Sequence, residues 1–275
     1  MIIKSYSKIN LSLRVLNKKK NKMHNIETNS VLVDLNDKIK IKRNKRNIII
    51  FKGRFKKNIK KQNTVFETIK ILKKFKVIKH PYKIVVNKQI PVYAGLGGGT
   101  GNSVAIAKYF LKNKLNEKQI RIFEKKIGSD FRLFLNNFSL QKSLKKVIKN
   151  RNKFKYYLII VFPFINCKTK KIYEMVKKFS KPSFQNYLKK KNQLDFLNII
   201  KKDRNDLQKI VEKKYPEVSR LIIFLSKQKG CFFSRMSGSG SSCYGVFNNI
   251  KTARLALTKI KRKFPKYWCD VTKTI

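Results

Sequence analysis

Residues 82–111 read YKIVVNKQIPVYAGLGGGTGNSVAIAKYFL. Tyr82 to Ile90 combines β-branched residues with polar ones and predicts a strand. The loop from Pro91 to Gly101 follows, and a helical stripe of Val104, Ala107 and Leu111 leaves it. Gly95, Gly97, Gly98, Gly99 and Gly101 take five of the 11 glycines in the chain. Glycine admits positive φ and leaves no Cβ between the backbone and a ligand. In a strand–loop–helix context, successive backbone N–H groups and the positive end of the helix make a cradle for a polyphosphate. Pro91, Val92, Tyr93, Ala94, Gly95, Leu96, Gly97, Gly98, Gly99, Thr100 and Gly101 are therefore the candidate nucleotide-binding residues. The spacing matches neither GxxxxGK[ST] nor GxGxxG, because no Lys follows the glycines at the required place and Thr100 stands where a third glycine would fall.

Outward from this loop, residues 2–16 alternate as a strand, a solvated turn covers 17–23, and strands follow at 25–35 and 38–50. Thr64 with Glu67 fits a capping box for a helix bearing Val65, Ile69 and Leu72. A second helix near 117–127 ends at Gly128. Residues 142–155 are almost purely basic and polar and mark a boundary, giving domains 1–150 and 151–275. Beyond it come a buried strand at 156–162 and helices near 169–179, 204–213 and 216–228. A strand pair over 231–247, a helix at 251–264 and a strand at 267–271 complete the chain. Strands and helices in both halves predict an α+β fold.

The chain has 275 residues, with 68 Lys+Arg against 14 Asp+Glu, a net +54. The lysines recur along its whole length beside abundant Asn, Ile and Phe, which reads as a chain-wide bias rather than a nucleic-acid footprint. No specific nucleic-acid partner is expected, although the positive field attracts small anions. No apolar run reaches ~18 residues, which argues against a membrane span. Residues 1–13 alternate without an apolar leader block, so a cytoplasmic location is expected. Cys167, Cys231, Cys243 and Cys269 form no CxxC pair and meet only two histidines, so no zinc site is expected and the thiols are read as reduced. With so few carboxylates, Asp130 in a structured motif is a candidate for chemistry, and Lys8 stands out by interrupting an apolar strand. Ser237-Gly-Ser-Gly-Ser-Ser242 is a second loop of small residues, suited to close packing.

Taken together, these segments resemble the GHMP kinase superfamily. Ser7-Lys-Ile-Asn-Leu-Ser-Leu13 is similar to its first motif, Gly95-Leu-Gly-Gly-Gly-Thr-Gly-Asn102 to its second, and Met236 to Ser242 to its third. Lys22-Met23-His24, Gly128-Ser-Asp-Phe-Arg132, Asn205 to Gln208 and Tyr215 to Val218 match further segments in family order. Several positions depart from the pattern. Arg132 replaces a proline, Met23 an aromatic and Gly101 a serine, and a glycine-rich turn is missing over 136–146.

The resemblance implies a two-lobe α+β kinase, with a ribosomal S5 domain 2-like N-terminal lobe carrying the ATP loop and the catalytic pair. The C-terminal lobe is implied to be ferredoxin-like. The implied activity is transfer of the ATP γ-phosphate, with Mg²⁺, to a hydroxyl of a cytidyl diphosphate acceptor used in non-mevalonate isoprenoid synthesis. Asp130 is implied as general base and Lys8 as its charge partner; Thr100 offers a hydroxyl near the metal, and no residue is assigned as a metal ligand. Asn10, Met23, His24, Thr169, Tyr173, Gly238, Ser239 and Gly240 are implied to bind the acceptor, with His24 reading its cytosine and Tyr173 stacking on it. A monomer or weak homodimer is expected. Two other readings stay open: a homoserine- or mevalonate-type kinase, and a decayed kinase acting as a basic RNA-binding protein.

Overall fold

A computed structural model describes residues 1–19, 23–57, 59–144, 146–152, 154–183, 187–189 and 192–275. Parts of the expected turn at 17–23 and of the basic stretch at 142–155, and Lys22 beside Met23, lie outside these residues. The chain forms two compact units, one of residues 1–8, 35–92 and 97–135, the other of 9–34, 93–96 and 136–275.

Strand β1 (Ile2–Lys18) and strand β2 (His24–Arg43) both contribute to each unit. Alternation along β1 puts Ile9, Leu11, Leu13 and Val15 on one side and Lys8, Asn10 and Ser12 on the other. All of them are buried, so the polar side needs internal partners. β2 runs unbroken through the break expected between 35 and 38. Its turn-like Asp37 is buried and accepts hydrogen bonds from Lys88 Nζ, Gln89 N (2.7 Å) and Ile90 N (2.9 Å), which removes the cost of an acid inside a strand. β3 is consequently short, Ile48–Lys52.

In the first unit, helix α1 (Thr64–Lys74) is capped not by Thr64 but by Asn63, whose side chain accepts from Val65 N and Phe66 N. The Thr64 hydroxyl donates to Gly99 O at 2.9 Å instead. Strand β4 (Tyr82–Asn87) pairs antiparallel with residues 38–43 of β2 and parallel with β3. Helix α2 (Gly98–Phe110) follows the glycine loop. Helix α3 (Glu117–Ile127) starts with an Asn116/Gln119 capping box and ends at Gly128. A 3-10 turn, Ser129–Leu135, closes the unit, with Phe131 stacked on Phe123 at 4.7 Å.

In the second unit, strand β5 (Phe138–Ser143) pairs with β2 at 28–31 and with strand β6 (Lys146–Lys149). The polar stretch expected at 142–155 thus contains a strand; β6 is an edge strand, where lysines are compatible with pairing. Strand β7 (Tyr157–Phe162) precedes helices α4 (Thr169–Glu174), α5 (Gln193–Lys202), α6 (Gln208–Lys214) and α7 (Pro216–Ser226). Strands β8 (Cys231–Met236) and β9 (Cys243–Phe247), helix α8 (Ile250–Lys263) and strand β10 (Trp268–Lys273) follow. The antiparallel sheet β10-β7-β9-β8 presents Ile159, Val161 and Phe247 to Val211, Val218, Leu221, Leu225, Ala253 and Ile260 in one core. The helix expected over 169–179 ends at Glu174. The one expected from 204 starts at Gln208, because Asn205 spends its amide on Met236 O (2.9 Å) and Gly238 O (2.8 Å). Among the described residues, no helix is long and apolar enough to cross a membrane.

Candidate active site

In the first unit, Lys8 Nζ lies 3.0 Å from Asp130 Oδ2. Asp130 sits in the first turn of the 3-10 segment entered from Gly128 at φ 142°. That segment is held from two directions. Arg132 donates to Glu117 from Nη1 (2.9 Å) and Nη2 (2.8 Å), and to Glu124 from Nε (2.9 Å) and Nη2 (3.1 Å). These bonds push the guanidinium upward and hold the Glu117 carboxyl below its usual range. From α2, Lys108 Nζ donates to Phe134 O and Leu135 O at 3.4 and 3.3 Å, and burial lowers its pKa. Arg132 thus fixes the turn to α3 at a position where the resemblance led one to expect a proline.

The glycine segment is shorter as a loop than its sequence suggests, because Gly98, Gly99, Thr100 and Gly101 already form the first turn of α2. Gly97 is the N-cap at φ 65°, with no side-chain cap and no acid in the first turn. A Cβ on Gly97 would stand 2.6 Å from the Phe134 ring, so only glycine fits. An uncapped helix start without an acid leaves donors and positive potential available to an anion, and these residues fit a polyphosphate. Of the predicted loop residues, Pro91, Ala94, Leu96, Gly98 and Gly101 are buried, Val92, Gly95, Gly97 and Thr100 half-buried, and Tyr93 and Gly99 exposed.

The second unit gathers most of the predicted acceptor residues. Asn10 N donates to Ser237 Oγ at 3.2 Å, and Asn10 Nδ2 donates to Thr28 Oγ1 at 2.8 Å. Ser237 Oγ donates to Gly95 O (3.3 Å) and Ser242 N to Ala94 O (3.2 Å). Gly238, at φ 57°, has space for a Cβ only 3.2 Å from Asn10 Oδ1, and Thr169 and Ser239 join their hydroxyls at 2.9 Å. Gly240 lies against Met236 and Cys167. Small residues are what allow residues 93–96 and the 237–242 loop to meet backbone to backbone, with strand β1 joined through the Ser237 hydroxyl.

His24 packs its ring 5.2 Å from Tyr173, and its neighbour Met23 is exposed. Burial, then Lys18, lowers the His24 pKa from its ordinary value, which favours the neutral imidazole. Sequence reasoning missed Phe179, which stands 6.4 Å from His24 and lies beyond Glu174, where the expected helix has already ended. It also missed the Arg14–Asp203 ion pair at 2.8 Å and Tyr187, whose hydroxyl donates to Asp203 at 2.5 Å. The acid following a lysine-rich helix end, Lys201-Lys202-Asp203, was the available signal.

Comparison with known proteins shows the family. The model of the GHMP kinases N terminal domain matches residues 63–132, and that of the GHMP kinases C terminal matches residues 185–266. The chain is 39% identical to the 4-diphosphocytidyl-2-C-methyl-D-erythritol kinase of Pelagibacter ubique over 99% of this chain and 98% of that one. It is 30% identical to the enzyme of the same name from the Wolbachia of Brugia malayi, over 98% and 96%. A crystal structure of 4-(cytidine 5'-diphospho)-2C-methyl-D-erythritol kinase superposes with a TM-score of 0.79 at 19% identity, covering 99% of each chain. A homoserine kinase from Cytophaga hutchinsonii superposes at 0.68 with 17% identity, over 100% of this chain and 94% of that one.

Proposed function

The chain belongs to the GHMP kinases and, among them, to the 4-diphosphocytidyl-2-C-methyl-D-erythritol kinases; from that premise we propose that it transfers the γ-phosphate of ATP to the 2-hydroxyl of that cytidyl diphosphate alcohol. The observation that carries the chemistry is the 3.0 Å contact between Lys8 Nζ and Asp130 Oδ2. The acceptor oxygen forms its bond to the γ-phosphorus as the bond from that phosphorus to the β,γ-bridging oxygen breaks. ADP leaves, and the hydroxyl proton passes to the Asp130 carboxylate. The Lys8 ammonium offsets negative charge where the alkoxide develops. Backbone N–H groups at the start of α2 hold the polyphosphate. Mg²⁺ carried on the phosphates would neutralise charge on the transferred group, with the Thr100 hydroxyl as the protein oxygen we assign near it.

Asn10, Thr169, Gly238, Ser239 and Gly240 position the acceptor alcohol, and Met23, His24 and Tyr173 take its base. The division into an N-terminal lobe, 1–150, and a C-terminal lobe, 151–275, is retained, with one matching family model on each side. We assign the +54 to composition, with no specific nucleic acid as partner, and a cytoplasmic monomer or weak homodimer as the working form. An ADP-release assay offering the cytidyl acceptor, homoserine and mevalonate in turn tests the reading. Turnover with the cytidyl acceptor alone is expected, and a preference for either of the others overturns it.

A further inference from the structure

We infer that Phe179 is a specificity-determining residue of the acceptor site, giving the pyrimidine base an aromatic face beside His24 that Met23 does not supply. The inference rests on the proposed acceptor and goes beyond it, since neither the glycine motifs nor the matched segments include residue 179.

Three observations carry it. Phe179 is 47% exposed, and among the described residues it is one of two aromatic rings set against His24. The other is Tyr173. The two are tilted 42° and 36° to the imidazole at 6.4 and 5.2 Å. An apolar ring left open beside a neutral hydrogen-bonding imidazole is suited to a flat, polar-edged ligand, because a base can stack on the ring while its edge meets the imidazole.

Secondly, the ring is not on a loose loop. The next residue, Ser180, donates from its N to Val15 O (2.8 Å) and from its hydroxyl to Asp206 Oδ2 (2.6 Å), and accepts from Arg204 Nη2 (2.8 Å). Asp206 is itself fixed by Val15 N (2.8 Å) and Arg204 Nε (2.8 Å). Three residues on, Ser183 N donates to Glu27 Oε1 at 2.9 Å. A segment without helix or strand is thus pinned to β1 and β2, and Phe179 takes its place next to His24 before any ligand arrives. Such preorganisation reduces the entropy lost on binding.

Thirdly, the residue preceding His24 is Met23, a flexible thioether that can touch a base but has no flat π face. Stacking on an aromatic side chain is sequence-tolerant and worth a substantial part of base affinity. Phe179 is an exposed aromatic positioned to provide it.

The test compares Phe179→Leu, which keeps apolar volume, with Phe179→Trp, which keeps a π face. Calorimetry with cytidine 5'-diphosphate alone is run beside steady-state kinetics with the cytidyl acceptor. Phe179→Leu is expected to weaken cytidine 5'-diphosphate binding and raise the acceptor KM ~10-fold or more, with kcat and the ATP KM within about twofold of wild type. Phe179→Trp is expected to retain wild-type values. Unchanged affinity in the Leu variant, or equal losses in both variants, overturns the inference. Phe179-dependent nucleotide binding without turnover of the acceptor would leave the inference standing and sink the proposed reaction. A wild-type protein that binds no cytidine nucleotide would sink both.

Discussion

Lys8 and Asp130 share an ion pair of 3.0 Å, yet the lysine side chain is 3% exposed and the aspartate 38%. The asymmetry suits the two roles proposed for them. A desolvated ammonium exerts its field with little screening, and a carboxylate open to solvent has room to take a proton from an incoming hydroxyl. Replacing Asp130 by Asn keeps the shape but removes the proton acceptor. The kcat of Asp130→Asn should fall ~10²–10⁴-fold while ATP affinity stays near wild type. Single-turnover rates alongside ATP calorimetry check this; near wild-type turnover would move the base elsewhere.

The uncapped start of α2 gives an electrostatic test in which one charge has two opposite effects. An acid in the first turn of a helix stabilises it by about 0.3–1 kcal/mol, and α2 has none. Thr100→Glu should therefore hold or raise the Tm while repelling the polyphosphate and weakening ATP, measured without Mg²⁺, ~10-fold or more by like charge at close range. Thermal melts and ATP calorimetry on one sample decide it. Unchanged ATP affinity with a raised Tm would show a helix start that meets no phosphate.

Arg132 ties the turn carrying Asp130 to α3 through two carboxylates. Arg132→Ala should cost about 1–2 kcal/mol, mostly from Glu124, since solvent screens the more exposed Glu117 arm. Arg132 holds the Glu117 pKa below 4.5. The folded value is thus lower than the unfolded one, and the contribution is complete above about pH 4.5 and fades as pH falls through the folded value. Urea midpoints of wild type and variant should differ at pH 7, and the gap should narrow on acidification by the smaller share that belongs to Glu117. A gap as wide at pH 3 as at pH 7 would remove Glu117 from the account.

The fold was legible where local chemistry and tertiary context agree. The strand–glycine–helix order, the buried run of β7 and the helix ending at Gly128 follow from periodicity and backbone freedom, and each is in place. The misreadings occur where a distant partner changes what a residue does. Asp37 looks like a break in a strand until Lys88, Gln89 and Ile90 supply its hydrogen bonds. Thr64 looks like a helix cap until its hydroxyl is seen on Gly99 O. In the site, motif residues could be named in advance because their spacing is local. Phe179 could not, since its place depends on Ser180 meeting Val15 and Asp206.

His24 sets a pH dependence for acceptor binding. Its pKa is lowered below 6.5 by burial, with Lys18 adding to the effect. The folded protein therefore keeps the imidazole neutral down to a pH lower than an exposed histidine would. The acceptor KM should be flat on the alkaline side and rise on acidification, with the rise setting in at lower pH than an exposed histidine would give, as protonation removes the acceptor nitrogen and buries a charge. In His24→Gln the KM should be higher at pH 7 and the acid limb lost. An unaltered acid limb in that variant would assign the titration to another group, the substrate phosphates included.

The net charge of +54 allows a direct contest between composition and a nucleic-acid function. If lysine merely decorates solvated faces, RNA will bind through phosphate contacts alone. Affinity will then be indifferent to sequence, log K will fall steeply with log salt, and Kd will weaken to roughly 10⁻⁴–10⁻⁶ M at physiological salt. A kinase site that reads a base predicts the reverse pattern for its small acceptor. Changing cytosine to uracil turns the N4 donor into an acceptor and reverses N3, so partners arranged for cytosine are left unpaired on binding. Discrimination of ~10² or more in kcat/KM between the cytidyl and uridyl acceptors should follow, with little dependence on salt because the loss is at a base edge and not at phosphates. Filter binding of unrelated RNAs across a salt series, set beside acceptor kinetics in the same buffers, separates the two. Submicromolar, salt-resistant binding of one particular RNA together with equal use of both acceptors would replace the kinase reading by that of an RNA-binding protein.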